Sequence, residues 1–169
     1  MNKHRFYGKG NFMLKIMFVC HGNICRSPMA EFIFKNMLAE KGITERFVIA
    51  SSATSSEEIS WNGIGNPVYP PARDELKKHG IDCGGKRATQ LTRDDYVKYD
   101  LFIGMDGANI RNMHRIFGND NDNKIRKLMD YTSRGGDVAD PWYSDRFDIA
   151  YRDIYDGCKG LLDSIINKI

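Results

Sequence analysis

The chain has 169 residues, 41% hydrophobic and 28% charged, a globular balance that excludes a disordered or fibrous polymer. No apolar stretch is long enough to span a bilayer, and the N-terminal "MNKHRFYGKGNF" lacks the apolar core of a secretion signal, so the cytoplasm is the expected compartment. Lys3, Arg5 and Lys9 account for the whole net charge of +3; from Met13 onward 22 basic residues meet 22 acidic ones, which argues against nucleic acid as a partner.

Residues 1–12 read as an N-terminal extension, either a flexible arm or the product of a start upstream of Met13, with a single domain over 13–169. Within it, Leu14–Cys20 is a continuous apolar run suited to a strand buried on both faces. Ser27 is placed to cap a helix with Pro28 in its first position, running to about Lys41 before Gly42. Residues 47–51 read as a strand and 71–79 as a helix closed by Gly80. Thr92 and Asp95 have capping-box spacing for a short helix to Val97. A strand over 99–105, a helix over 108–117 and a charged edge strand over 124–129 follow. Last, Phe147, Tyr151, Ile154, Cys158, Leu161, Leu162, Ile165 and Ile166 recur at helical spacing. Such alternation predicts an α/β fold with a parallel sheet covered on both faces. Two long irregular stretches, 52–70 and 131–145, are candidates to wall a ligand site at the strand carboxyl ends.

The four cysteines, Cys20, Cys25, Cys83 and Cys158, read as free thiols. With His4, His21, His79 and His114 scattered, no metal-ligand spacing appears, and no metal or cofactor is expected.

The chemistry concentrates between Cys20 and Ser27. A strand-to-helix loop aims backbone N–H groups at whatever lies above the helix N-terminus, which is an anion site by geometry and by dipole. Gly22 allows close backbone approach, and Asn23 tolerates a left-handed conformation. Arg26 adds a planar fork for two oxygens of a tetrahedral dianion. A cysteine at the base of this nest is favoured as thiolate, with the Ser27 hydroxyl a further donor. The pattern fits a nucleophile beneath a phosphate-shaped cradle. Cys-x5-Arg-[Ser/Thr] alone arises by chance in on the order of one chain in a hundred; the apolar strand before it and the Ser-Pro helix start after it make it specific. An inert core thiol at Cys20 and a surface charge at Arg26 are the competing reading.

A departing alkoxide or phenolate needs a proton. The candidate acid is Asp140 in "VADPWY", where Trp142 and Tyr143 are placed to wall a pocket; the other reading is a turn initiated by Asp-Pro with core aromatics. Trp61 has the same two readings, core anchor or pocket wall.

"VCHGNICRSPMAE" and the late "DPWY" together resemble the low-molecular-weight protein tyrosine phosphatases, and the resemblance runs from about Leu14 to the C-terminus through "SSATSSEEISWNGIGNPVYPPARDELKKHGID" and "RATQLTRDDYVKYDLFIGMD". It implies an open four-stranded parallel sheet flanked by helices on both faces, the phosphotyrosine phosphatase I-like, flavodoxin-like three-layer arrangement. It also implies attack by Cys20, phosphoryl oxygens held by Arg26 and the backbone of His21, Gly22, Asn23, Ile24 and Cys25, and Asp140 as acid and then base. Asn23 would brace the loop and Ser27 stabilise the thiolate, while Trp61, Trp142 and Tyr143 would flank the ring of a phosphotyrosine substrate. By the same resemblance Cys25 is a redox partner of Cys20; a structural thiol under the loop is the alternative. The chain departs from the family in having Trp142 where tyrosine is frequent, and Gly107-Ala108 after Asp106, which weakens the expected structural role of Asp106.

Among alternatives, a phosphoarginine-specific branch is associated with a loop threonine where this chain has Ile24, whose apolar side chain suits an aromatic ring. Arsenate reduction needs relay cysteines, a thiol oxidoreductase needs Cys-x-x-Cys, and a non-catalytic phosphate binder needs no thiolate. The sequence gives no indication of oligomeric state.

Overall fold

The computed structural model describes residues 13–168; the N-terminal arm expected over 1–12 lies outside them. Four parallel strands form the sheet: β1 (Leu14–Cys20), β2 (Phe47–Ala53), β3 (Leu101–Gly104) and β4 (Ile125–Lys127). Their order is β2-β1-β3-β4. The chain leaves β1 in one direction to build β2 and returns to its other side for β3. The carboxyl ends of β1 and β3 therefore flank the reversal in strand order, where open α/β sheets bind ligands.

Helices α1 (Arg26–Glu40), α2 (Pro70–Lys78), α3 (Asp95–Lys98), α4 (Gly107–Phe117), α5 (Pro141–Ser144) and α6 (Phe147–Ile166) complete the fold. Side chains alternate across β1. Ile16 and Phe18 join a core with Ile33, Phe34, Leu161 and Leu162 of α1 and α6. Met17 and Val19 face a second core with Phe102, Met113 and Phe117 of β3 and α4. Burial on both faces is why β1 reads as an unbroken apolar run. Residues 128–131 lie close under α6, where a β-carbon at Gly160 would run into the Tyr131 carbonyl.

The elements depart from expectation at their ends. α1 starts two residues early, at Arg26, with Cys25 at its N-cap and no side-chain capping bond; the Ser27 hydroxyl is committed elsewhere. β2 runs on to Ala53, because Ala53 still pairs with Cys20. β3 is shorter than the 99–105 run. The edge strand stops at Lys127, since Leu128 and Met129 turn into the core through a 3-10 turn. Thr92 and Asp95 form half a capping box: the Thr92 N–H and hydroxyl both donate to the Asp95 carboxylate, at 2.8 and 3.1 Å.

Candidate active site

β1 ends on Cys20, and the chain must turn from strand to helix in five residues. Asn23 makes this turn with φ at 58°, in the left-handed region that asparagine tolerates better than most side chains. The outer face of the loop is stitched to the stretch after β2. The carbonyls of Cys20 and His21 accept from the N–H groups of Thr54 and Ser55, each at 3.0 Å, and Ile24 O accepts from Tyr69 N–H at 2.8 Å. A trans peptide sets the next N–H opposite each carbonyl. The N–H groups of His21, Gly22 and Cys25 therefore point away from that stretch, at the N-terminal end of the 15-residue α1.

The sulfur of Cys20 receives the Asn23 N–H at 3.3 Å and lies 3.0 Å from Ser27 Oγ. The direction of this second contact follows from Asn23. Its Oδ1 accepts the Thr89 N–H at 2.9 Å, so its Nδ2 is the atom that donates to Ser27 Oγ at 2.8 Å and to Ser51 Oγ at 2.9 Å. Ser27 already accepts there and keeps its own hydrogen for the sulfur. Ser51 passes its hydrogen to the buried Glu31, which is paired with Lys35 at 2.6 Å and Lys86 at 3.6 Å. Burial pushes the Lys86 ammonium down, with Glu31 opposing the shift. The hydrogen bonds thus run outward from the Asn23 amide in two directions, through Ser51 to Glu31 and through Ser27 to Cys20.

Arg26, only 3% exposed, carries three contacts. Nη1 donates to Asp106 Oδ2 at 2.7 Å and to Val138 O at 3.0 Å, while Nη2 reaches Asp140 Oδ2 at 3.3 Å. Burial opposes its charge, but Cys20, Asp140 and Asp106 outweigh that and raise its pKa. Asp106 also closes a reciprocal capping box on α4: its Oδ1 accepts Asn109 N–H at 2.8 Å, and Asn109 Oδ1 accepts Asp106 N–H at 3.1 Å. Burial would raise the Asp106 pKa, yet the Asn109 N–H and Arg26 hold it below the ordinary value. Gly107-Ala108 thus leaves Asp106 fully engaged, because Asn109 supplies the polar partner.

Asp140 caps α5 and accepts Trp142 N–H at 3.0 Å. The structure therefore brings Cys20, Arg26, Ser27 and Asp140 together from two loops. Cys25 is buried beneath, its thiol pushed up to about 12 by burial first and the neighbouring Cys20 second. Ile24 is buried as well. The aromatics divide. Trp142 packs on Tyr69 with ring centroids 5.1 Å apart. Trp61, at 98% exposure, and Tyr143, at 87%, stand out into solvent; neither is a core anchor, and neither is folded onto the cradle. The engaged residues that sequence reasoning missed are Glu31, Ser51, Tyr69, Lys86, Thr89, Asn109 and Val138. Of these only Asn109 carried a local signal, its spacing of three from Asp106. Among the described residues no group of three or more His, Cys, Asp or Glu side chains is arranged for a metal, and no helix is long and apolar enough to cross a membrane.

A thiol beneath a strand-to-helix loop, with a buried guanidinium close by, at the switch point of a parallel sheet, has the layout of a nucleophile under an anion cradle, which is the layout that a cysteine-dependent phosphatase requires. The sequence profile of the low molecular weight phosphotyrosine protein phosphatases matches residues 15–169. The Bacillus subtilis low molecular weight protein-tyrosine-phosphatase YfkJ is 37% identical over 155 residues, spanning 90% of this chain and 96% of that protein. The low molecular weight phosphotyrosine protein phosphatase of Sus scrofa is 34% identical over 156 residues, 89% and 94% of the two chains. The crystal structure of YfkJ superposes with a TM-score of 0.86 at 36% identity, covering 95% of this chain and 99% of that one. The chain belongs to the low-molecular-weight phosphotyrosine protein phosphatase family, and its activity is that of a protein tyrosine phosphatase.

Proposed function

We propose that Cys20 is the nucleophile, Arg26 and the loop N–H groups from His21 to Arg26 the phosphoryl holder, and Asp140 the general acid and base. Cys20 Sγ attacks phosphorus in line with the aryl oxygen. The phosphorus–oxygen bond breaks as Asp140 delivers its proton to the departing phenolate. Asp140 then takes a proton from water as the water oxygen attacks the phosphocysteine. Inorganic phosphate leaves, and Cys20 departs as the thiolate. Arg26 and the N–H groups hold the three non-bridging oxygens throughout, so their charge is met by fixed dipoles and one buried cation.

The observation that carries this reading is the double commitment of Arg26: one guanidinium, set six residues after Cys20, touches both Asp106 and Asp140. Substrates are phosphotyrosine-bearing proteins, with the exposed Trp61, Trp142 and Tyr143 meeting the aromatic ring and its flanks, and Ile24 offering no hydroxyl to a guanidinium-type substrate. The four unpaired cysteines suit the reducing cytoplasm. Cys25 is the resolving thiol: a Cys20 sulfenic acid formed by peroxide condenses with the Cys25 S–H, giving a disulfide and water. The test is a metal-free time course on free phosphotyrosine and phosphoarginine, repeated with Cys20→Ser and Asp140→Asn. Phosphotyrosine turnover that vanishes in the first variant and slows in the second supports the reading; preferential phosphoarginine turnover overturns the substrate assignment.

A further inference from the structure

We propose that Tyr69 is the positioning residue for the acid step, holding Trp142, and through it Asp140, in register with the phosphate loop. The proposal rests on the reading of Asp140 as acid and base.

Tyr69 lies just before α2 and belongs to none of the motifs that mark the site. Its backbone N–H donates to Ile24 O at 2.8 Å, which fastens it to the outer face of the phosphate loop. Pro70 and Pro71 follow at once, and each proline restricts the residue before it. The ring is therefore presented from a stiff backbone. It packs on Trp142 at 5.1 Å and on Phe147, the first residue of α6, at 6.0 Å. A single residue thus touches the phosphate loop, the loop that carries Asp140 and the terminal helix.

The path to the carboxylate is short. Among the described residues the Asp140 carboxylate has two hydrogen-bond contacts, Arg26 Nη2 at 3.3 Å on one oxygen and Trp142 N–H at 3.0 Å on the other. A phosphoryl group in the cradle competes for the guanidinium, which leaves the Trp142 N–H as the fixed contact. That N–H belongs to a single helical turn, α5, which has too few internal bonds to hold itself. Its register comes from buried Pro141 and from the Trp142 ring against Tyr69. The Tyr69 hydroxyl has no hydrogen-bond partner among the described residues, so the ring does the positioning.

The experiment measures kcat/KM for a series of aryl phosphates whose leaving phenols range from nitrophenol to unsubstituted phenol, in wild type, Tyr69→Ala, Tyr69→Phe and Asp140→Asn. This parameter reports phosphoenzyme formation, where the leaving group needs its proton most when it is a poor one. Tyr69→Ala is expected to lose about tenfold or more with phenyl phosphate and little with nitrophenyl phosphate, since small displacements of a catalytic group cost on this scale. The leaving-group dependence then steepens toward that of Asp140→Asn, Tyr69→Phe keeps the wild-type slope, and competitive inhibition by inorganic phosphate stays at the wild-type level. A uniform fall across the series in Tyr69→Ala, or weakened phosphate inhibition with an unchanged slope, overturns the proposal and makes Tyr69 a packing residue. A steep slope in Asp140→Asn with a wild-type slope in Tyr69→Ala overturns the Tyr69 proposal alone. An unchanged slope in Asp140→Asn overturns the acid reading beneath it.

Discussion

Ser27 Oγ lies 3.0 Å from Cys20 Sγ, and because Asn23 Nδ2 already donates to that oxygen, the serine hydrogen is left for the sulfur. Hydrogen bonds to charged groups are worth about 1.5–3 kcal/mol. Ser27→Ala is therefore expected to slow alkylation of Cys20 by iodoacetate at neutral pH by roughly ten- to a hundredfold, with the helix intact by circular dichroism. Alkylation at the wild-type rate would mean that the sulfur does not rely on this donor.

Asn23 supplies three side-chain bonds from a position 0% exposed. Asn23→Ala strands Ser27, Ser51 and the Thr89 N–H, and puts alanine at a positive φ. The expected loss in unfolding free energy is about 2–4 kcal/mol, read from urea midpoints. A loss within the range of an ordinary surface substitution would contradict the bracing role.

How much of this was legible from the residue order depends on distance along the chain. Cys20, Arg26 and Ser27 sit within eight consecutive residues, where strand, loop and helix signals overlap. Asp140 stood out through its dipeptide with Pro141. Local spacing misassigned Ser27 as a helix cap, because what diverts its hydroxyl is the sulfur at the end of β1, seven residues back in the chain. Glu31, Ser51, Lys86 and Thr89 come from α1, β2 and the stretch after α2 and meet only in the folded chain, so no periodicity points to them. The edge strand ended early because Leu128 is drawn under α6, a tertiary demand on a sequence that reads as strand. Trp61 had two local readings, and its nearly complete exposure removes the core one.

Asp106 supplies a pH test. Burial works to raise its pKa, but the Asn109 N–H and Arg26 hold it below 3.8. A carboxylate held low in the folded state stabilises fully above its unfolded value and loses that contribution as the pH falls through the folded one. The stability gap between wild type and Asp106→Asn is therefore expected to be wide near neutral pH and to close below about pH 4, in urea melts across this range. Parallel curves would show that the charge of Asp106 does not support the fold.

Cys25, with its thiol pushed up to about 12, remains protonated at neutral pH and is expected to resist alkylation while Cys20 reacts. In its resolving role it holds oxidation at the disulfide, which dithiothreitol reduces, so in Cys25→Ser excess peroxide should carry the Cys20 sulfenic acid on to the sulfinic acid and activity should not return. Full recovery in the variant would reduce Cys25 to a packing thiol.

In the proposed mechanism every phosphoryl group passes through Cys20. The direct measurement is acid quenching of Asp140→Asn during phosphotyrosine turnover, followed by peptide mass mapping. One phosphoryl group is expected on the peptide that contains Cys20, absent from the double variant Cys20→Ser/Asp140→Asn. Phosphate on another residue, or phosphotyrosine turnover by Cys20→Ser at the wild-type rate, would contradict it.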